Sequence, residues 1–293
     1  MNIAISSCLL GNVVRYDGKD QSSEYVLKKL SSFVNFIPFC PENRAFGTPR
    51  EPISLNLINE KVEVITNFSK KNLTKELNEA IEEELLAFPV KINGIILKSK
   101  SPSCGLESKL LMEGKNIGKT EGIFASRLIK KYENVPIIQE CSLGNIFLKE
   151  EFLIHLFALK RFENLKLVGS KFKDLYKFNE ANSLFFNMKD KVKAKKLNEI
   201  LNKNLSFEEM FNSYEKHYKI LISQNIDKKM AVLLMKEIVS TFIKDRKIVL
   251  KKLIKDYKNG LIPLIVLLEL LKDGLNHELM SQTIFNLYPK KLL

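Results

Sequence analysis

Hydroxyl, thiol and cationic side chains follow a short apolar run in the first half of the chain. The run at residues 94–97 leads directly into Lys98-Ser99-Lys100-Ser101-Pro102-Ser103-Cys104-Gly105. Proline and glycine favour a tight turn in such a segment. Nothing in the folding pattern requires a thiol beside two hydroxyls at this place, so the segment indicates a functional site around Cys104.

Two further cysteines also follow predicted strands. Cys8 comes after the apolar run at residues 2–5, and Cys40 comes after the run at residues 34–39. Ligands bind beyond the carboxyl ends of the strands in an open parallel sheet, so we expect Cys8, Cys40 and Cys104 to converge there. The alternative for any one of them is a small buried hydrophobic side chain.

A site of three thiolates suits two kinds of metal centre. Zinc with an open coordination position is one, and an iron–sulfur cluster with one iron free of protein ligands is the other. The chain has four cysteines without a CxxC motif or a zinc-type Cys/His spacing, so the ligands must come from distant segments. Cys141 follows a fourth predicted strand and leaves a four-thiolate site possible.

Short apolar runs alternate with amphipathic segments in the first half of the chain. The pattern predicts strands at residues 2–5, 34–39, 94–97 and 135–138, and a strand or hairpin edge at residues 61–66. It predicts helices at residues 22–33, 74–88 and 123–132. It predicts only helices further on, at residues 151–162, 183–202, 207–223, 228–257 and 262–271. We therefore predict an α/β parallel-sheet, Rossmann-like domain at residues 1–142 and an all-α domain at residues 143–293.

The positive charge is concentrated in the second half. The net charge is +13, with 20 Lys and Arg against 18 Asp and Glu in residues 1–150, and 27 against 16 in residues 151–293. A basic domain beside a near-neutral one predicts binding of a nucleic-acid backbone by the helical domain. The alternative is a lysine-rich solvated surface.

The sequence also indicates a cytoplasmic protein. No secretory or transit peptide is visible, and the most apolar stretch, residues 261–271, is shorter than the roughly 20 residues of a membrane span. We expect no contact with a membrane, and we expect the cysteines to be reduced in this compartment.

Short motifs in the first half resemble those of the thiouracil desulfidase family. They are Ser7-Cys8-Leu9-Leu10-Gly11, Arg15-Tyr16-Asp17-Gly18, Cys40-Pro41-Glu42, Pro49-Arg50-Glu51-Pro52 and Ser101-Pro102-Ser103-Cys104-Gly105. Residues 151–162, 259–264 and 287–290 resemble the helical domain of the long form of the family, the bacterial tRNA 4-thiouridine desulfidases.

The resemblance implies a set of site residues. A [4Fe-4S] cluster would be held by Cys8, Cys40 and Cys104. Glu42 would be the catalytic carboxylate, and Ser101 the catalytic serine with Ser103 as the second candidate. Arg15 and Arg50 are candidates for substrate binding, or for pairing with Asp17 and Glu51 within the loops.

The resemblance also implies an activity. We expect a non-redox, hydrolytic desulfidase that removes sulfur from a thiolated pyrimidine, with 4-thiouridine in tRNA as substrate and tRNA as partner. One alternative is a desulfidase of free thiouracil-type bases. A second is a non-catalytic metal-containing module that binds RNA or protein, with Cys141 as a fourth ligand.

Overall fold

The chain folds as an α/β unit followed by a helical unit. The structure, a computed structural model, describes residues 1–88, 91–167, 171–242 and 244–293. It divides into two compact units, Met1–Asn145 and Ile146–Leu293. The fold class predicted from the sequence is confirmed.

The first unit contains two four-stranded sheets. Its described strands are β1 (Asn2–Ser6), β2 (Asn35–Phe39), β3 (Ile53–Ile58), β4 (Lys61–Thr66), β5 (Gly94–Leu97), β6 (Ser108–Met112), β7 (Lys115–Thr120) and β8 (Ile137–Gln139). Its described α-helices are α1 (Pro41–Phe46), α2 (Thr74–Ala87) and α3 (Ile123–Lys131).

The first sheet is parallel and has the strand order β2-β1-β5-β8. All residues of β5 are buried, and β1 is buried from Ile3 to Ser6. Continuous apolar runs of this kind are typical of parallel strands that are covered on both faces. The order reverses at β1, because β2 lies on one side of it and β5 on the other.

The predicted helix at residues 22–33 is irregular. The structure has a π-helical segment, Tyr25–Lys29, followed directly by a 3₁₀ segment, Leu30–Ser32. Val26 and Leu30 are fully buried in it. These side chains fix the segment to the core although its backbone does not form a regular α-helix.

The second sheet, with the order β4-β3-β6-β7, was not predicted as a sheet. It consists of two antiparallel hairpins joined by parallel pairing of β3 and β6. Both hairpins turn through consecutive residues with positive φ, which are Asn59 and Glu60 in one and Glu113 and Gly114 in the other. A tight hairpin turn that matches the twist of its strands requires positive φ at consecutive residues. Strand β7 is polar and exposed, so the hydrophobic pattern does not reveal it.

The second unit is helical throughout its described part. Its α-helices are α4 (Ile146–Leu167), α5 (Phe172–Ala181), α6 (Ser183–Lys189), α7 (Lys191–Leu201), α8 (Phe207–Ile222), α9 (Lys228–Ser240), α10 (Lys244–Lys258), α11 (Leu264–Lys272) and α12 (His277–Met280). The helices predicted at residues 183–202 and 228–257 are therefore two helices each, and α5 and α12 were not predicted. No helix among the described residues is long and apolar enough to cross a membrane.

Stacked aromatic rings form part of the core of the helical unit. Phe162 of α4 stacks on Tyr218 of α8 with ring centroids 4.7 Å apart. The Tyr218 hydroxyl donates a hydrogen bond of 2.7 Å to the carbonyl of Ala158. This bond satisfies the polar end of a fully buried side chain, so the ring can lie in the apolar core.

Candidate active site

A cavity of about 360 Å³ lies at the carboxyl edge of the first sheet. Cys8, Cys40 and Cys104 all line it, and each follows a different one of the neighbouring strands β1, β2 and β5. This edge, at the reversal of strand order, is where an open parallel sheet forms a crevice. The sheet thereby brings together three thiols that are separated by 32 and 64 residues in the sequence.

Local backbone structure positions the first two thiols. Cys8 lies in a 3₁₀ turn, Ser7–Leu10, that ends at Gly11 with a φ of 89°. Cys40 directly follows β2 and precedes helix α1, which has proline at its first position. The fixed φ of that proline suits a helix start, so the chain turns abruptly at Cys40. The Cys40 amide donates to the Glu84 carboxylate at 3.2 Å.

The loop that carries Cys104 is fixed by the start of helix α3. The amides of Phe124 and Ala125 both donate to the Ser103 carbonyl, at 2.9 and 3.0 Å. These first-turn amides have no partner within their own helix, so the loop supplies it. A Cβ atom at Gly122 would lie 2.4 Å from the Ser103 carbonyl oxygen, so this close approach requires glycine.

Burial makes the metal-free thiols weak acids. It raises the pKa of Cys8 to about 11, with a further contribution from nearby Cys40, and it raises the pKa of Cys40 to about 11. The pKa of Cys104 is raised well above 9.0, again mainly by burial and next by Cys40. Metal coordination stabilises thiolates, so a bound metal centre would reverse this preference for the protonated form.

The donor set fits an iron–sulfur cluster. The three thiols line one cavity. No group of three His, Cys, Asp or Glu side chains in the described ranges closes around a point that would hold a single ion. Soft thiolates distributed around a cavity suit a centre with several irons, because the cluster itself spans the space between its ligands.

Glu42 and Ser101 form a hydrogen-bonded pair on the wall of the cavity. The Ser101 hydroxyl donates to Glu42 Oε1 at 3.1 Å, and Arg50 Nη2 lies 3.0 Å from Glu42 Oε2. Ser101 Oγ also accepts the amide hydrogens of Ser103 and Cys104, at 3.2 and 3.1 Å. The same hydroxyl therefore contacts the carboxylate and shapes the loop that carries a candidate metal ligand.

Arg50 lines the cavity but its guanidinium is bound to protein. Its Nη1 donates to the carbonyls of Val14 and Gly47, at 3.0 and 2.8 Å, while its Nη2 contacts Glu42. The predicted alternative of an Arg50–Glu51 pair is wrong, because the Glu51 carboxylate accepts from the amides of Phe68 and Ser69. Through these contacts Arg50 connects the loops at Val14 and Gly47 to Glu42.

Arg15 lies on the same cavity with a partly exposed side chain. Its Nη1 donates to Gln21 Oε1 at 2.8 Å, and its Nε lies 3.4 Å from Asp17 Oδ1. The pair with Asp17 that the sequence indicated is therefore present. Substrate binding by Arg15 stays a prediction.

Two residues do not join the cavity. Ser103 is fully buried and is absent from the cavity wall, and its hydroxyl has no hydrogen-bond partner among the described residues. Cys141 is exposed and lines an adjoining groove instead of the cavity that holds the other three thiols, so a four-thiolate site is wrong. The turn containing Ser101 and Ser103 thus presents only Ser101 to the cavity.

Sequence reasoning gave no role to a cation and its partner beside the thiols. Lys98 lines the cavity, and its ammonium binds the Glu140 carboxylate. Glu140 also accepts from the Ser99 amide at 2.6 Å, so it joins the ends of β5 and β8. Their position directly after the carboxyl ends of two adjacent strands could have indicated that they lie at this edge of the sheet.

The fold and the cavity together define an α/β protein with a cysteine-lined site at the carboxyl edge of a parallel sheet. Residues 3–140 match the model of the family described as 2-thiouracil desulfurase, and residues 184–289 match one described as a protein of unknown function (DUF1722). The chain is 33% identical to the uncharacterized protein YbbK of Bacillus subtilis (strain 168) over 156 residues, which are 49% of this chain and 99% of that protein. The chain belongs to the 2-thiouracil desulfurase family.

This membership confirms the resemblance at the level of the family. A solved structure described as the [4Fe-4S]-dependent thiouracil desulfidase TudS is 29% identical, and the match covers 50% of this chain and 94% of that one. Its TM-score of 0.40 is below the level at which a superposition establishes a common fold.

Proposed function

We propose that the first unit is a [4Fe-4S]-dependent, non-redox desulfidase that hydrolyses the carbon–sulfur bond of a thiolated pyrimidine, with 4-thiouridine in tRNA as its substrate. The observation that carries the proposal is a single cavity lined by Cys8, Cys40, Cys104, Glu42 and Ser101. It unites soft metal ligands with a carboxylate and a hydroxyl that are hydrogen-bonded to each other. Membership of the 2-thiouracil desulfurase family supports the reaction class.

Cys8, Cys40 and Cys104 would hold the cluster, one from the end of each strand. A cluster with three protein ligands supplies, when bound, a soft Lewis-acidic iron that matches the sulfur of a thiocarbonyl group. Cys8 and Cys104 are buried, so two of the thiols that would hold the cluster are themselves little exposed to solvent.

Glu42 is proposed as the base that removes a proton from the attacking water. Its Oε2 is bound to Arg50, so Oε1 remains the oxygen that Ser101 contacts and that can accept a proton. Ser101 is proposed to pass a proton towards the departing sulfur, because its hydroxyl contacts both Glu42 and the cavity. The net change consumes water and releases hydrogen sulfide, so no electron donor is needed.

The basic second unit supports a polyanionic substrate. Residues 151–293 carry 27 basic against 16 acidic side chains. A substrate held through several phosphates should lose about a thousandfold in affinity between 50 and 200 mM salt, because counterions are released on binding. The name of the family favours a free thiolated base as the second candidate, and binding of a neutral base should not change with salt.

The test is anaerobic reconstitution followed by incubation with tRNA that contains 4-thiouridine. We expect release of sulfide with conversion of the nucleoside to uridine. The Cys104→Ala variant should lose both iron and turnover, whereas the matched Cys141→Ala variant should keep both, because Cys141 is exposed and lies outside the cavity. Desulfuration that persists without iron, or in Cys104→Ala, would refute the proposal.

A second variant tests the carboxylate. Glu42→Gln keeps the size of the side chain but leaves the buried Arg50 without its anionic partner, so bound iron and visible absorbance must first show that the cluster is retained. With the cluster retained, we expect turnover to fall by about 10²–10⁴-fold. Full turnover in this variant would remove Glu42 from its proposed role. An iron-loaded wild-type protein that binds RNA but releases no sulfide would favour the non-catalytic alternative.

A further inference from the structure

The cysteine cavity adjoins a larger groove. The groove has a volume of about 1170 Å³ and extends over residues of the second sheet. The two hollows share five lining residues, Tyr16, Glu42, Ser99, Lys100 and Pro102. A ligand that reaches the thiols from the groove must therefore pass these side chains.

Tyr16 presents an aromatic ring at this boundary. Its side chain is 42% exposed, and the guanidinium of Arg15 lies over the ring, 5.8 Å from the centroid. Two contacts from Arg50 hold the backbone on which Tyr16 sits. The Arg50 amide donates to the Tyr16 carbonyl at 3.0 Å, and Arg50 Nη1 donates to the Val14 carbonyl at 3.0 Å.

Tyr16 thus combines a fixed backbone with an exposed ring. Burial of apolar surface does not explain the ring, since the core of the unit leaves it in solvent. The thiols of Cys8 and Cys104 are buried, whereas Tyr16 and Lys100 are exposed, so the ring belongs to the open end of the cavity. A planar aromatic ring at the entrance of a small cavity is suited to stack on a planar ligand.

We infer that Tyr16 is a substrate-binding residue on which the pyrimidine ring stacks while its sulfur enters the cysteine cavity. The inference rests on the proposed function, because it takes a pyrimidine as the ligand. Stacking of a base on an aromatic side chain depends on the π-faces and tolerates differences in ring substituents. Tyr16 would therefore hold the ring without selecting the position of its sulfur, and the cavity would make that selection.

Kinetics of iron-loaded variants test the role in binding. Tyr16→Ala should raise KM by about 5- to 150-fold and leave kcat within a few fold, because stacking holds substrate and transition state alike. Tyr16→Phe should restore the wild-type KM, and Tyr16→Leu should not, since leucine supplies bulk without a π-face. Iron content and hydrogen-exchange protection of β1 should match the wild type in all three variants. An unchanged KM in Tyr16→Ala, or full rescue by leucine, would overturn the inference.

Fluorescence tests binding without any need for turnover. The chain contains no tryptophan, so the Tyr16→Trp variant has a single indole at the boundary. The matched control is Phe68→Trp, because Phe68 is 79% exposed and lines neither hollow. Uridine should quench the indole fluorescence of Tyr16→Trp saturably, and that of Phe68→Trp only by collision.

The two readouts separate the failure of this inference from failure of the proposed function. Equal, non-saturating quenching in the two tryptophan variants would overturn the inference even if sulfide is released. Saturable quenching confined to Tyr16→Trp would support the inference even if no sulfide is released from any thiolated pyrimidine, and the proposed function would then fail alone.

Discussion

Replacing Arg50 with methionine removes a buried cation that braces the cavity. The side chains of Arg50 and Glu42 are only 6% and 13% exposed, and their charged atoms are 3.0 Å apart. Removing one partner of a buried pair leaves the other charge uncompensated, at a cost of about 3–5 kcal/mol. The Val14 and Gly47 carbonyls lose their hydrogen bonds from Arg50 as well. We therefore expect Arg50→Met to lower the free energy of unfolding of the first unit by several kcal/mol.

Two variants serve as controls for this magnitude. Arg127 pairs with Glu82 on the surface, with side chains 47% and 56% exposed, so Arg127→Met should cost only about 0–1 kcal/mol. The double variant Arg50→Met/Glu42→Gln leaves no unpaired charge and should lose less stability than Arg50→Met alone.

Native-state hydrogen exchange of the full chain is the suitable assay. The chain has two units, so a single denaturation curve does not describe two-state unfolding. The amides of β1 and β5 report on the first unit and those of α8 on the second. The reasoning is refuted if Arg50→Met costs no more than Arg127→Met, or if the double variant is less stable than Arg50→Met.

Three further substitutions have defined outcomes. Gly122→Ala should displace the Cys104 loop and reduce bound iron, measured as iron per protein, because its Cβ would meet the Ser103 carbonyl at 2.4 Å; unchanged iron would contradict this. Ser103→Ala should keep activity and raise the unfolding free energy by about 1 kcal/mol, since it removes a buried hydroxyl that has no partner in the described part of the chain; loss of turnover with the cluster intact would instead restore Ser103 as catalytic. Burial raises the pKa of Glu150 above 4.5, so its contribution to stability is present below pH 4.5 and declines as pH rises through the folded-state pKa. In Glu150→Gln the stability of α4, measured by hydrogen exchange, should decline less as pH rises. An unchanged pH dependence would exclude this carboxyl as the source of the decline.

Much of the first sheet could be predicted because its strands are short and apolar. Residues 94–97 form β5 as expected, and the run at residues 2–5 extends by one residue into β1. The second sheet was missed because it is built from hairpins with polar exposed edges, in which turn geometry replaces hydrophobic periodicity. The break between α9 and α10 was missed because apolar residues recur at helical spacing on both sides of it.

The location of the cysteine site was partly predictable, because the strands that precede the cysteines were predictable. A residue that follows a parallel strand lies at the carboxyl edge, so strand order alone places Cys8, Cys40 and Cys104 near one another. The same rule places Cys141 near that edge, where the structure assigns it to the neighbouring groove. Strand order therefore selects an edge of the sheet without selecting which side chains share a cavity.

The sequence by itself determined the α/β and helical halves, the family and the residue types available for chemistry, because these depend on local patterns and short motifs. Only the tertiary structure decided how those residues are used. It directs the Arg50 guanidinium to Glu42 and two carbonyls, and it buries Ser103 away from the cavity. The physical reason is that hydrogen-bond partners and burial are set by segments far apart in the chain, whose approach no local pattern encodes.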